Sequence, residues 1–506
     1  VNAFWVSTLS QITVLAFDLG ASSGRAMIGR VNLDRKTVTV EELYRFPNGP
    51  VRVGRSLYWD VLRIWSEVKE GIRRACAKYG DELVSIGVDT WGVDFALLDN
   101  NGELLGNPHS YRDPRNQEAM EELLRKIPRE RIYERTGIQF TPINTLYQLY
   151  AMVLVNSSQL RAAKTFLMIP DLFNYWLSGA IASEFTEATT TQFLDPRTRK
   201  WCFDLLEEIG VPTGIFPEVI EPTTKLGRIR KELAEELGVS PRIEVVAPAT
   251  RDTASAIAAA PIDEESAYIS CGTWSLVGVE LSEPLISRQA MEYNFTNEGG
   301  AFNTITFLRN IQGMWFIQEI RRILAMRGEE YSYEQLTKMA AEARGFLAFI
   351  DPDNPRFLAP INMIDEIMKF LEETGQEKPK SVGELVRLVL ESLALKYRLV
   401  IEQVQKLTGR RIRRINIFGG GSKNWLHNQL VADFNNVPVV AGPDEATSMG
   451  NVLLQVAGLG YIKSLRELRE FVKNSVKLRV FEPNHTSRHE DAYNRFLDIL
   501  EKTGGL

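Results

Sequence analysis

The sequence predicts an α/β protein built from two large domains. Three observations carry that expectation. The chain has 506 residues, more than one hydrophobic core organises. A strand, a small-residue turn and a second strand occur twice, at Val14-Leu15-Ala16-Phe17-Asp18-Leu19-Gly20-Ala21-Ser22-Ser23-Gly24-Arg25 and at Ala267-Tyr268-Ile269-Ser270-Cys271-Gly272-Thr273-Trp274-Ser275-Leu276-Val277-Gly278. Residues 414–457 read as strand, glycine turn, helix, strand, helix. That is βαβ order, with the glycine turn at the C-terminal end of a strand, where ligands bind in α/β folds.

Bulk properties exclude several classes. Hydrophobic residues make up 44% and charged residues 25% of the chain, the range of globular proteins. A net charge of −6 gives no reason to expect nucleic acid as a partner. Cys76, Cys202 and Cys271 are scattered and odd in number, which argues against a disulfide framework and for a reducing cytoplasm. The four histidines, His109, His427, His485 and His489, show no metal-site spacing, which argues against structural zinc. Residues 1–17 are uncharged. They lack a basic n-region and run straight into the first glycine turn, so their second half reads as a core strand rather than a leader or span. A soluble, cytoplasmic protein with no membrane partner is expected, as monomer or weak homo-oligomer.

The elements follow in order. Residues 14–17, 25–31 and 37–42 alternate with turn residues and read as a β-meander. A helix over 61–79 places Trp65, Val68, Ile72 and Ala75 on one face. Residues 84–99 read as strand, turn at Trp91-Gly92, strand. Residues 115–245 are mainly helical, with a long loop over 184–201. A buried strand at 245–249 leads into Thr250-Arg251-Asp252-Thr253 and a small-residue helix over 254–260, stopped by Pro261. The second half opens with the strand–turn–strand at 267–279, continues with helices over 315–408, and closes with the βαβ unit.

Several constellations carry chemistry. Asp18 ends a buried strand just before a glycine–serine turn. A carboxylate there suits Mg²⁺, which takes oxygen ligands and keeps waters while bound to phosphates; the alternative is a plain hairpin turn. Asp89 and Asp94 flank the turn Thr90-Trp91-Gly92-Val93. Buried carboxylates need partners; the alternative is a strand end with Asp94 exposed. Trp91 and Phe95 suit either the core or the apolar side of a sugar. Asp252 suits a base accepting a hydroxyl proton, or equally a helix N-cap. Gly419-Gly420-Gly421 offers a backbone platform for a flat base, whereas a left-handed turn needs only one glycine. Two glycine turns from two similar half-chains suggest a grip on one polyphosphate. No P-loop and no protein-kinase motif set is present.

In this order, Asp18–Arg25, Val88–Asp94, Asp252-Thr253, Cys271-Gly272-Thr273 and Gly419–Gly421 resemble the FGGY carbohydrate kinases of the actin/hexokinase/Hsp70 superfamily. Further segments, among them Thr186-Glu187-Ala188-Thr189-Thr190-Thr191-Gln192 and Thr296-Asn297-Glu298-Gly299-Gly300, are similar to the kinases of L-rhamnulose within it. The resemblance implies two ribonuclease-H-like domains, residues 1–260 and 261–506, with an interdomain cleft. It implies ATP-dependent phosphorylation of L-rhamnulose at the 1-hydroxyl, with Mg²⁺. By the same resemblance Ala21, Ser22, Ser23, Gly24, Arg25 and Thr273 hold ATP phosphates, and Gly420 and Gln318 contact the nucleotide. Gly92, Arg251, Asp252, Thr253 and Asn310 line the sugar site, Asp252 is the general base, and Asp18 is the Mg²⁺-side carboxylate. Arg251 departs from the pattern, which has His before the catalytic Asp. Arg is longer and permanently charged, and either pairs with Asp252 or reaches sugar or phosphate. Other readings are another sugar kinase of the family (fuculose, xylulose or a polyol), an actin- or Hsp70-like ATPase, and a sugar-sensing regulator.

Overall fold

The computed structural model describes residues 10–505. The reading of residues 1–9 lies outside the described residues. The chain divides into two compact units. The first is the chain up to Ala259 with Glu280–Phe307 and Ala446–Ser475; the second is Ala260–Val279, Leu308–Glu445 and the chain from Val476.

In the first unit, six strands form one mixed sheet: β1 (Gln11–Leu19), β2 (Ser23–Asn32), β3 (Thr37–Pro47), β4 (Leu83–Thr90), β5 (Lys225–Arg228) and β6 (Glu244–Val246), in the order β5-β6-β4-β1-β2-β3. β1 lies centrally and is buried on both faces, as its continuous apolar run requires. The meander β1-β2-β3 is antiparallel as expected, and β1 and β6 both pair parallel with β4. Those pairings put Asp18 opposite Arg25 on β2 and opposite Asp89 on β4. β3 at the edge is half-exposed and carries Glu41, Glu42 and Arg45, which blunts a free edge.

Helices cover both faces of that sheet. The helix Val61–Tyr79 starts at an Asp60 cap, whose Oδ1 accepts from Arg63 N at 3.2 Å, and buries Val61, Ile64, Val68, Ile72 and Ala75. Its Gly71 sits where a Cβ would fall 2.7 Å from the Phe17 ring. The helix Ala446–Gly458 packs on the other face, where a Cβ on Gly29 would overlap Val452. Strand period 2 therefore assigns Phe17 to one face and Asp18 and Asp89 to the other.

Phe95–Leu98 is a strand as expected, and it pairs antiparallel with Thr165–Met168. The turn between lies in the core: Trp91 is 4% and Phe95 6% exposed. Trp91 packs tilted against Trp59 at 4.2 Å and Phe95 stacks on Phe166 at 5.0 Å. Of the two readings open for these rings, core or the apolar side of a sugar, their burial favours the core.

In the second unit the strands are β7 (Ser266–Cys271), β8 (Trp274–Leu281), β9 (Ile305–Gln312), β10 (Arg414–Phe418), β11 (Val439–Ala441) and β12 (Arg479–Phe481). They run in the order β9-β8-β7-β10-β11-β12. β7 pairs antiparallel with β8 and parallel with β10, the same arrangement that β1 makes with β2 and β4. Each unit thus carries one of the two repeated turns between paired strands. The helix Val382–Thr408, capped by Ser381 and ended by Gly409 at φ 70°, contributes the buried Tyr397, whose hydroxyl lies 2.6 Å from Ser275 Oγ on β8. Among the described residues no helix is long and apolar enough to cross a membrane, and Cys76, Cys202 and Cys271 are free.

Candidate active site

The first turn is tied down by its carbonyls. Gly20 N donates to Ser23 O at 2.9 Å, Asn48 N to Ser22 O at 3.0 Å and Asn48 Nδ2 to Gly20 O at 2.8 Å. Carbonyls turned inward are the orientation a loop needs to present N–H groups to an anion. Gly24 is buried, and a Cβ there would overlap the Phe46 ring. Ala21 and Ser23 are half-buried and Ser22 is exposed. Arg25, assigned to phosphate, and Asp18, assigned to the metal, pair across the strands at 2.5 Å.

Asp89 is fully buried, where the plain strand-end alternative would leave it capping a turn. Its Oδ2 accepts from Asn451 Nδ2 at 2.6 Å, and its Oδ1 has no partner among the described residues. Burial, then the charge on Asp18, push its pKa well up; the Asn451 bond opposes them. Asp94 is buried too, which removes the exposed alternative. It accepts from Trp59 Nε1 (2.5 Å), Trp91 Nε1 (2.9 Å), Tyr111 N (3.2 Å) and Gln148 Nε2 (2.9 Å), so it is the hub that holds the 91–94 turn.

Arg251, Asp252, Thr253 and Gly92 come together. β4 and residue 251 meet in a parallel bridge at Thr90. A Cβ on Gly92 would lie 3.0 Å from Arg251 Nε, so a larger residue there displaces the guanidinium. Helix Asp252–Ala258 begins at Asp252, and Arg251 occupies the cap position, so Asp252 is not the N-cap. Its Oδ1 takes three donors: Thr253 N (2.6 Å), Arg251 Nη1 (2.7 Å) and Thr253 Oγ1 (3.1 Å). The side chain is 29% exposed, and every one of these bonds falls on the one oxygen. Burial outweighs the Arg251 charge, so the Asp252 pKa is raised.

Arg251 has further counter-charges that motif reading missed. Its Nε lies 3.6 Å from Glu298 Oε2, and Glu187 acts on it electrostatically. Burial works against the guanidinium charge, but Asp252, then Glu298 and Glu187, outweigh it and raise its pKa. Glu187 Oε1 also accepts from Val93 N at 3.1 Å, tying the Gly92 turn to the same cluster. Both acids sit in segments quoted for the family resemblance, yet nothing local in the sequence marks them as partners of residue 251.

In the second unit, Thr273 and Gln318 meet, Thr273 Oγ1 donating to Gln318 Oε1 at 3.3 Å. The Gly272–Thr273 turn is pinned by the next loop: Gly313 N and Trp315 N each donate to Thr273 O at 3.1 Å, and Met314 N to Gly272 O at 3.0 Å. Gly313 allows this approach, since a Cβ there would lie 2.8 Å from Ser275 N. The glycine triplet resolves position by position. Gly419 has φ +83° and Gly421 packs on the Cys271 thiol, where a Cβ would overlap Sγ. Gly420 is exposed with nothing within 4 Å of a Cβ; protein packing gives no reason for its glycine. Asn310 is half-buried on β9, beside Arg309, which pairs with Asp353 at 2.8 Å.

Among the described residues no three acidic, thiol or imidazole groups converge to hold a metal ion directly. The donor set around Asp18 does fit hydrated Mg²⁺. Its acceptors are carboxylate oxygens, one of them paired with Arg25, and the buried Asp89 Oδ1 lacks a partner among the described residues, which suits an ion that keeps its waters.

Comparisons with known proteins identify the family. The N-terminal domain profile of the FGGY family of carbohydrate kinases matches residues 13–258, and its C-terminal domain profile matches 267–459. A rhamnulokinase of Halalkalibacterium halodurans is 43% identical over 465 residues, 92% of this chain and 97% of that protein. The rhamnulokinase of Bacillus subtilis is 39% identical over 94% of this chain and 96% of that protein. Among solved structures, gluconate kinase from Lactobacillus acidophilus aligns with TM-score 0.80 at 17% identity, covering 97% of this chain and 98% of that one. Plasmodium falciparum glycerol kinase with ADP aligns with TM-score 0.77 at 15% identity, covering 97% and 98%. At those identities the structures speak for the fold alone.

Proposed function

This chain belongs to the FGGY family of carbohydrate kinases, and on that premise we propose that it transfers the terminal phosphoryl group of ATP to the 1-hydroxyl of L-rhamnulose. The products are L-rhamnulose 1-phosphate and ADP. The sugar rests on the full-length relatives named as rhamnulokinases. The observation that carries the chemistry is Asp252, a partly exposed carboxylate whose protein partners all bind Oδ1.

Asp252 Oδ2 accepts the proton of the sugar hydroxyl as that oxygen attacks the γ-phosphorus in line. The new P–O bond forms to the sugar while the bond to the β–γ bridging oxygen breaks, leaving ADP. Arg251 and the two Thr253 donors keep Oδ1 occupied and favour the ionised carboxylate against the burial that raises its pKa. Gly92, Arg251, Thr253 and Asn310 orient the sugar. Ala21, Ser22, Ser23, Gly24, Arg25 and Thr273 hold the phosphates, and Gln318 and Gly420 the rest of the nucleotide. Mg²⁺, when bound, supplies charge neutralisation on the phosphates. Asp18 would hold it through water, and the acidic surroundings of Asp18 support that role. We assign these roles to an N-terminal domain, residues 1–260, and a C-terminal domain, 261–506, working in the cytoplasm; three free cysteines support that compartment.

ADP production from MgATP tests the reading, across L-rhamnulose, L-fuculose, xylulose and glycerol. Selective turnover of L-rhamnulose is expected. Preference for another sugar keeps the kinase and moves the sugar assignment, with Arg251 the first residue to examine. ATP hydrolysis indifferent to every sugar overturns the kinase reading in favour of an ATPase.

A further inference from the structure

The helix Ala446–Gly458 comes from near the end of the chain but belongs to the first unit. Asn451 and Gln455 lie one turn apart on it, fully buried against the sheet. A buried amide costs free energy unless its ends are bonded, and here the bonds run in one direction. Ser85 Oγ donates to Gln455 Oε1 at 2.7 Å. Gln455 Nε2 is therefore the donating end, and it reaches Leu15 O (3.1 Å) and Asn451 Oδ1 (2.7 Å). That leaves Asn451 Nδ2 as the end that meets Asp89 Oδ2 at 2.6 Å. Flipping either amide sets donor against donor or acceptor against acceptor. Gly87 makes room, because a Cβ there would lie 2.7 Å from the Gln455 amide and 2.8 Å from Asn451 Oδ1.

The relay ends on an acid with one oxygen to spare. Asp18 is paired with Arg25 and Asp252 with Arg251. Asp89 stands in register with Asp18 on the same sheet face, feels the charges of Asp18 and Asp252, and has an amide where the other two have a guanidinium. Its Oδ1 is buried without a partner among the described residues. Asp89 is thus the one acid of the three without an ion-pair partner among the described residues, and it stands beside the residue assigned to the metal side.

We propose that Asp89 is a working member of the cation site, its Oδ1 accepting from a water of the phosphate-bound divalent cation, and that Asn451 and Gln455 are positioning residues that aim it. The proposal rests on the MgATP reading above and adds three residues to it.

The test uses Mn²⁺ as probe, titrated into the full chain with ADP and followed by electron paramagnetic resonance, in wild type, Asp89→Asn, Asn451→Leu and Gln455→Met. Mn²⁺ affinity is expected to fall about tenfold in each variant, as for loss of a group that orients a metal's surroundings, while metal-free ADP affinity holds. Gln455→Met does not touch Asp89, so a loss there reports aim rather than charge. If Gln455→Met does not fold, Gln455→Glu, which keeps the size but loses the Nε2 donor, takes its place. Unchanged Mn²⁺ affinity in Asp89→Asn, or in both helix variants while their melting temperature drops, overturns the proposal and leaves the relay a structural strut. A wild type that turns over sugar and binds Mn²⁺ with ADP, beside indifferent variants, overturns this inference alone. A wild type with neither property overturns the MgATP reading with it.

Discussion

Arg251 Nη1 donates to Asp252 Oδ1 at 2.7 Å, the same oxygen that takes both Thr253 donors, so one edge of the carboxylate is held by protein and the other is open to a hydroxyl. Asp252→Asn keeps the shape and removes the base. Turnover is expected to fall by roughly 10²–10⁴-fold with the melting temperature nearly unchanged. Near-normal kcat would take Asp252 out of that role.

Arg251 sits among Asp252, Glu298 and Glu187. Arg251→Met leaves buried acids without their cation and should cost roughly 3 kcal/mol or more in denaturant unfolding. Arg251→Lys restores charge without the planar fork and should recover part of that loss. Equal unfolding midpoints for wild type and Arg251→Met would mean the cluster is not held by this charge.

Gly420 and Gly421 are neighbours with opposite constraints. Gly421→Ala drives a methyl into the Cys271 thiol and should lower stability by about 1–3 kcal/mol, as overpacking does. Gly420→Ala meets no protein atom within 4 Å, so stability should hold while the KM for ATP rises. An ATP KM that stays put in Gly420→Ala argues against a nucleotide surface there.

Thr273→Ala removes the hydroxyl that reaches Gln318 at 3.3 Å. The KM for ATP should rise more than the KM for the sugar. Steady-state kinetics with each substrate varied in turn decides it, and an unchanged ATP KM would contradict the phosphate assignment.

Asp94 gives a pH prediction. Burial pushes its pKa from 3.8 to about 7, against four N–H donors that favour the ionised form; Arg115 is a charged group that acts on it electrostatically. A folded pKa above the unfolded one means the native state holds the extra proton between about pH 4 and 7. Stability from this group therefore falls as pH rises through that window, by up to ~1.4 kcal/mol per unit, and is flat above it. The unfolding free energy of wild type minus Asp94→Asn should decline from pH 4 to 7. A difference constant across the window would show that Asp94 is ionised throughout.

The elements that sequence reading placed well are those with local causes. β1, β2 and the helix Val61–Tyr79 follow from apolar periodicity and turn chemistry within a few residues. The Gly20–Gly24 turn and Asp252 stand out because glycine runs, and an acid between a strand and a helix, are visible in short windows. Both strands of the 84–99 stretch are real, and the second pairs with Thr165–Met168, a partner no local pattern names. Trp91 and Phe95 looked equally suited to core or sugar because ring chemistry is the same in either place; burial decided for the core.

By itself the sequence determined the α/β class, the repeated strand–turn–strand, the family and the residues of its motifs. Tertiary structure alone decided how buried charge is balanced. Asn451 meets Asp89 across 362 residues of chain, and Glu187 and Glu298 gather on Arg251 from separate segments. The reason is physical. Periodicity and turns record interactions between neighbours in the chain, whereas a polar group taken out of water accepts any partner that packing brings within reach, and that choice leaves no spacing in the sequence to read.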